Sequence, residues 1–94
     1  MNHWFVYMIR CNDGSLYTGI STDVERRLLE HRGRDNRGAK YLKGRNPLEL
    51  VWQYKVENRS AAAKLEHAIK KLPKDGKEQL IAGSSGPPLD PIEG

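Results

Sequence analysis

The chain of 94 residues has a single cysteine, one phenylalanine, and no apolar run near the ~18 residues that a membrane span requires. With Cys11 alone no internal disulfide can staple the fold, and a reducing, cytoplasmic setting is the expectation. The first residues show no charged region followed by an apolar one, so no secretory signal is expected. Clustered metal ligands are missing too. His3, Cys11, His31 and His67 do not fall at the spacing of a structural zinc site, and Cys11 reads as a small buried hydrophobe. The length is that of one domain without internal repeats. A domain of this size buries only about 60–65% of the surface of its unfolded chain, so its core must be thin.

Acidic residues are scarce in one place. Between Arg26 and Arg45 eight bases (Arg26, Arg27, Arg32, Arg34, Arg37, Lys40, Lys43, Arg45) face two acids, Glu30 and Asp35. This segment carries six net positive charges, whereas the whole chain carries four. Such a concentration is the footprint of a phosphate-binding surface, although a solvated face could look the same.

His3 to Arg10 is aromatic and β-branched with apolar residues on both faces, which predicts a central strand. Asn12-Asp13-Gly14-Ser15 is turn chemistry, and Leu16 to Ile20 forms the second strand of a hairpin. Thr22 and Glu25 have capping-box spacing, predicting a helix to about His31 with Val24 and Leu28 inward and Gly33 near its end. A short helix is possible over Ala39 to Lys43. Leu48, Leu50, Trp52, Tyr54 and Val56 alternate and predict a third strand with these five residues on one face. Ser60 to Leu72 is amphipathic, with Ala61, Leu65, Ala68, Ile69 and Leu72 inward, and a last helix is expected over Asp75 to Ala82. Trp4, Trp52 and Tyr54 are assigned to the core. The order β-β-α-(α)-β-α-α predicts an α+β fold, a small three-stranded antiparallel sheet flanked by helices. Residues 1–82 form the expected domain, and 83–94, rich in Gly, Ser and Pro, a disordered tail.

Cleaving a phosphodiester needs an aligned water, a group to take its proton and positive charge for the developing phosphorane oxygens. Candidates for most of these parts are present. Tyr7 and Tyr17 fall on the two hairpin strands, Arg27 and His31 share a helix face at i, i+4, and Glu66 flanks the apolar stripe of the long helix. One carboxylate with several coordinated waters is a common way to hold Mg²⁺. Taken singly, each residue also has an ordinary role as a strand aromatic, a solvated charge or a helix-end histidine.

Together they resemble the GIY-YIG superfamily. Phe5-Val6-Tyr7 and Tyr17-Thr18-Gly19 correspond to its paired tripeptides, followed in order by Gly19-Ile20-Ser21, Arg27-Leu28-Leu29-Glu30-His31, and Glu66 with Lys70 one turn later. Gly38-Ala39-Lys40-Tyr41 and Pro47-Leu48-Glu49-Leu50-Val51 look like the small stand-alone bacterial members. Phe5 and Val6 stand where the family has Gly and Ile, and Thr18 where it has Ile. The likeness covers about residues 4–82.

The resemblance implies a Mg²⁺- or Mn²⁺-dependent endonuclease hydrolysing DNA, structure- or single-strand-selective, in DNA repair or processing. Glu66 would be the sole protein ligand of the metal, Arg27 would neutralise the phosphorane, Tyr17 or Tyr7 would serve as base, and His31 would assist proton transfer or orient a tyrosine. A tyrosine near its ordinary pKa of about 10 is a poor base at neutral pH, so a lowered value is expected. Arg26, Arg34, Arg37, Lys40, Tyr41, Lys43, Arg45 and Lys70 are the expected nucleic-acid contacts, Lys70 being equally placed to pair with Glu66. Single-stranded or branched DNA is the expected partner of a monomer, with no membrane association. A non-catalytic nucleic-acid-binding module of the same fold is the alternative, and a domain that docks on an acidic protein surface a third.

Overall fold

The computed structural model describes residues 3–32, 47–83 and 86–87. It contains β1 (Trp4–Arg10), β2 (Leu16–Ser21), α1 (Val24–Arg32), β3 (Glu49–Val56), α2 (Arg59–Lys70) and α3 (Lys74–Ala82). The three strands form one antiparallel sheet in the order β2-β1-β3. The fold is the α+β arrangement expected from the sequence. The possible helix over Ala39 to Lys43, Gly33, and most of the 83–94 tail lie outside the described residues.

β1 is central because it is apolar on both sides. Val6 and Met8 pack against Ala62, Leu65 and Ile69 of α2 and Leu80 of α3, while Tyr7, Ile9 and Cys11 pack with Val24 of α1 and Leu48 on the opposite face. The α2 stripe therefore starts at the buried Ala62 rather than at the half-buried Ala61. The hairpin turn is held by Asp13, whose carboxylate accepts from the Ser15 backbone at 3.0 Å, and by Gly14 at φ 84°, a conformation few other residues adopt cheaply. Arg10 at the end of β1 makes two bonds, 2.8 and 2.7 Å, to the Glu78 carboxylate of α3. No helix among the described residues is long and apolar enough to cross a membrane.

The strand β3 and the start of α1 depart from the sequence reading. Met8 pairs with Trp52 but Ile9 pairs with Leu50, so β3 carries a bulge at Val51. One extra residue reverses the period-2 phase. Leu48 and Leu50 consequently face the side of Tyr7, and Trp52 and Val56 the side of Met8; the five alternating residues do not share a face. Tyr54 is not core either. It is exposed and stacks on Trp52, with ring centroids 6.0 Å apart. Trp4 is half-buried beneath the Arg59 guanidinium.

The second correction concerns the start of α1. Asp23, not Thr22, is the N-cap: its carboxylate accepts from Arg26 N at 3.0 Å and its carbonyl from Arg27 N at 3.0 Å. Ser21 Oγ in turn accepts from Asp23 N at 2.9 Å, which fixes the entry of the chain. Thr22 is exposed. Asp23→Ala should therefore destabilise the domain by about 1 kcal/mol, whereas Thr22→Ala should stay within about 0.5 kcal/mol. Urea denaturation of the two variants measures the difference, and equal losses would return the cap to Thr22.

Candidate active site

Antiparallel pairing places Gly19 of β2 and Gln53 of β3 on either side of Tyr7 of β1. Tyr17 pairs with Ile9, so both tyrosines project from the same face, their ring centroids 6.4 Å apart. A Cβ on Gly19 would lie 2.6 Å from the Tyr7 hydroxyl and 3.1 Å from Cε2 of Tyr17. Glycine is needed here for close approach: the two rings close over its bare backbone. The Tyr7 side chain is consequently enclosed, with 1% of the residue exposed, while Tyr17 is half-buried.

α1 lies over this face and supplies His31 and Arg27. His31 is buried, its Nε2 3.0 Å from the Tyr7 hydroxyl, its ring edge-on to Tyr17 at 5.5 Å. Burial, and then the Arg27 charge, holds its pKa down at about 4. The imidazole is therefore neutral at pH 7 and able to accept a hydrogen bond. Arg27 lies close enough to act on the same hydroxyl by charge and as a donor, and it donates to the Glu30 carboxylate at 2.9 Å. A guanidinium can only donate. The arrangement that satisfies all three groups has the Tyr7 oxygen accepting from Arg27 and giving its own hydrogen to His31.

Tyr7 departs from the expectation of a lowered tyrosine pKa. Burial pushes it up to about 12, helped by Tyr17 and Glu66 and only partly opposed by Arg27. Desolvation of a phenolate outweighs one nearby cation that already shares its charge with Glu30. Tyr7 is thus a neutral phenol wedged between a cation and a neutral acceptor.

Glu66 lies on α2 within electrostatic reach of Tyr7. Its side chain is 23% exposed and 3.2 Å from the Lys70 ammonium, the ion-pair alternative expected for that lysine. Among the described residues no three His, Cys, Asp or Glu gather as a metal cluster. One accessible carboxylate that already attracts a cation, within electrostatic reach of the Tyr7 phenol, fits a hard divalent ion that keeps most of its waters. It does not fit a zinc centre, which needs several protein ligands.

The structure thus brings Tyr7, Tyr17, Arg27 and His31 onto one face of the sheet, with Glu66 in electrostatic reach. Arg26 is exposed on α1. Arg34, Arg37, Lys40, Tyr41, Lys43 and Arg45 lie outside the described residues. Among the described residues, Arg32 at the end of α1 donates to the Leu48 carbonyl just before β3 at 2.7 Å. Sequence reasoning overlooked this clamp, the steric role of Gly19, and Glu30 as the partner of Arg27. Only Glu30 left a usable signal, its i, i+3 spacing.

A family model described as the GIY-YIG catalytic domain matches residues 3–79. A UPF0213 protein of Vibrio cholerae is 54% identical over 81 residues, covering 85% of this chain and 78% of that protein. The UPF0213 protein YhbQ of Escherichia coli is 46% identical over 86 residues, 92% and 84% of the two chains. Among solved structures, the solution NMR structure of a UPF0213 protein from Bacillus halodurans matches at 42% identity with TM-score 0.56, covering 93% and 89% of the chains. That of a protein from E. faecalis matches at 38% identity and TM-score 0.62, over 89% and 88%.

Two tests follow from this geometry. Gly19→Ala should cost about 1–3 kcal/mol, the range for overpacking a closed site, and should shift the NMR signals of His31 because Tyr7 must move. An unperturbed His31 would mean that the rings yield without cost. His31 itself makes stability depend on pH. Its folded pKa of about 4 lies below the ordinary 6.5, so the unfolded chain takes the proton first. Its contribution is full above pH 6.5 and is lost as pH falls towards 4, with uptake of about one proton on unfolding near pH 5. Glu78, lowered by Arg10, acts only below the ordinary carboxylate range. The slope of unfolding free energy between pH 6.5 and 5 should flatten in His31→Gln; an unchanged slope would remove His31 as its source.

Proposed function

The chain belongs to the GIY-YIG catalytic-domain family, and on that premise we propose that it is a divalent-metal-dependent endonuclease hydrolysing DNA phosphodiester bonds. The observation that carries this reading is the convergence of Tyr7, Tyr17, Arg27 and His31 on one sheet face, with the Glu66 carboxylate in electrostatic reach.

Each residue has a role suited to its surroundings. Arg27 projects a guanidinium to the Tyr7 hydroxyl and would extend the same fork to the phosphorane oxygens. Tyr17, the less buried tyrosine, is the one that meets water, and we assign it the proton of the attacking water. Tyr7, its hydrogen directed at His31, holds Arg27 and His31 in register and keeps Tyr17 packed against them. Neutral His31 accepts that hydrogen without adding a second positive charge beside Arg27. Glu66 would hold the metal, exchanging its bond to the Lys70 ammonium. When bound, a Mg²⁺ or Mn²⁺ ion there supplies positive charge for the scissile phosphate, the leaving oxygen and a tyrosine phenolate.

DNA is approached through the basic segment between α1 and β3, together with the exposed Arg26 of α1. Phosphate contacts dominate affinity on so small a surface and carry no sequence information. We therefore assign structure- or single-strand-selective cleavage by a monomer, in DNA repair or processing. A cytoplasmic setting accords with the free, buried Cys11.

The test is incubation of labelled single-stranded, duplex and branched DNA with and without Mg²⁺. The wild-type protein should cut only with the metal. Glu66→Gln should bind DNA normally and cut none of it; cleavage at the wild-type rate would remove Glu66 as the metal ligand. Arg27→Ala should lose about 10²–10³ in single-turnover rate while binding nearly as well, whereas Arg34→Ala and Arg45→Ala should lose some affinity and keep turnover. Equal losses in all three would reduce Arg27 to one base among many.

A further inference from the structure

A cavity among the described residues lies outside the catalytic reading. It measures about 280 Å³ and is lined by Phe5, Val24, Leu50 and Gln53, with Asp23 and Glu25 at the N-terminus of α1. Phe5 precedes Tyr7 by two residues on β1, so the two share a face about 6.6–6.8 Å apart along the strand. Gln53 stands directly opposite Tyr7 on β3. The cavity therefore opens one row along the sheet from the proposed reaction centre. Its ring comes from a position, Phe5, where the paired tripeptides of the family have glycine.

The lining restricts the occupant. Two carboxylates disfavour a phosphate. Asp23 is committed to capping α1 through Arg26 N, whereas Glu25 is exposed. An aromatic ring with two aliphatic side chains favours a flat, uncharged group, and the Gln53 amide and Glu25 carboxylate suit its hydrogen-bonding edge. We propose that this cavity receives one unpaired nucleobase of the strand being cut, stacked on Phe5 and bonded at its edge by Gln53 and Glu25. This rests on the nuclease reading and deepens it. A base inside a duplex must first be unstacked, at a cost of a few kcal/mol that a single-stranded or branched substrate avoids. The cavity thus supplies selection that phosphate contacts cannot. Glu25 as an acceptor favours bases with an exocyclic amine, adenine, cytosine or guanine, over thymine.

The experiment uses wild-type protein and single-stranded oligonucleotides in which each nucleotide around the cut is replaced in turn by an abasic one. One position should lower kcat/KM about tenfold, the value of one stacked base, while its neighbours have little effect. Phe5→Leu, which keeps the packing but not the ring, and Phe5→Ala should show the same loss on intact DNA and no further loss on the sensitive abasic substrate. As a readout without turnover, 2-aminopurine at that position, bound to Glu66→Gln protein, should change fluorescence, and the change should vanish when Phe5→Leu is added. Rates indifferent to every abasic position overturn the pocket, as do losses that multiply or a fluorescence change that survives Phe5→Leu. Failure of the wild-type protein to cut any DNA would overturn the nuclease reading itself, whereas cutting with position-independent rates sinks the pocket alone.

Discussion

The candidate site depends on the close approach of β2 to the ring of Tyr7. With no Cβ on Gly19, the Tyr7 and Tyr17 rings can settle over the backbone of the neighbouring strand. That position puts the Tyr7 hydroxyl within 3.0 Å of His31, and this bond joins the sheet to α1. Arg27 meets the same oxygen from one turn earlier on the helix. A methyl group on β2 would press on this oxygen and, through it, on both helix residues.

Burial then decides protonation. The Tyr7 pKa rises to about 12 and the His31 pKa falls to about 4. Each group is held neutral because water cannot solvate its charged form. Around this uncharged pair the ions keep partners, Arg27 with Glu30 and Glu66 with Lys70. Both ion pairs are partly exposed, so they contribute little stability. The site therefore combines a rigid neutral centre with loosely held charges at its rim.

The rest of the fold serves to hold that centre on a thin domain. β1 is apolar on both sides, which places α2 and α3 on one face and α1 on the other. The bulge at Val51 sends Leu48 and Leu50 under α1, completing the small cluster beneath Tyr7, while Trp52 and Val56 turn to the larger cluster. The Arg32 bond to the Leu48 carbonyl then ties the end of α1 to the residue just before β3.

Much of this was legible in the residues. The two-sided apolar pattern of His3 to Arg10 determined a central strand, the turn at Gly14 a hairpin, and the i, i+4 spacing of Arg27 and His31 a shared face, because these signals are local and follow fixed backbone periods. The ordered appearance of Tyr7, Tyr17, Arg27, His31 and Glu66 determined which residues to suspect. Other features answered only to tertiary structure. The cap moved from Thr22 to Asp23 because backbone geometry chose between adjacent candidates. The phase of β3 reversed because pairing with β1 inserted a residue that no alternation can announce. The Tyr7 pKa rose instead of falling because charge is stabilised by whatever surrounds it, and enclosure by β2 and α1 outweighed the single cation beside it. Sequence spacing specifies which residues can meet; solvent exclusion, which exists only once the chain has folded, decides their protonation.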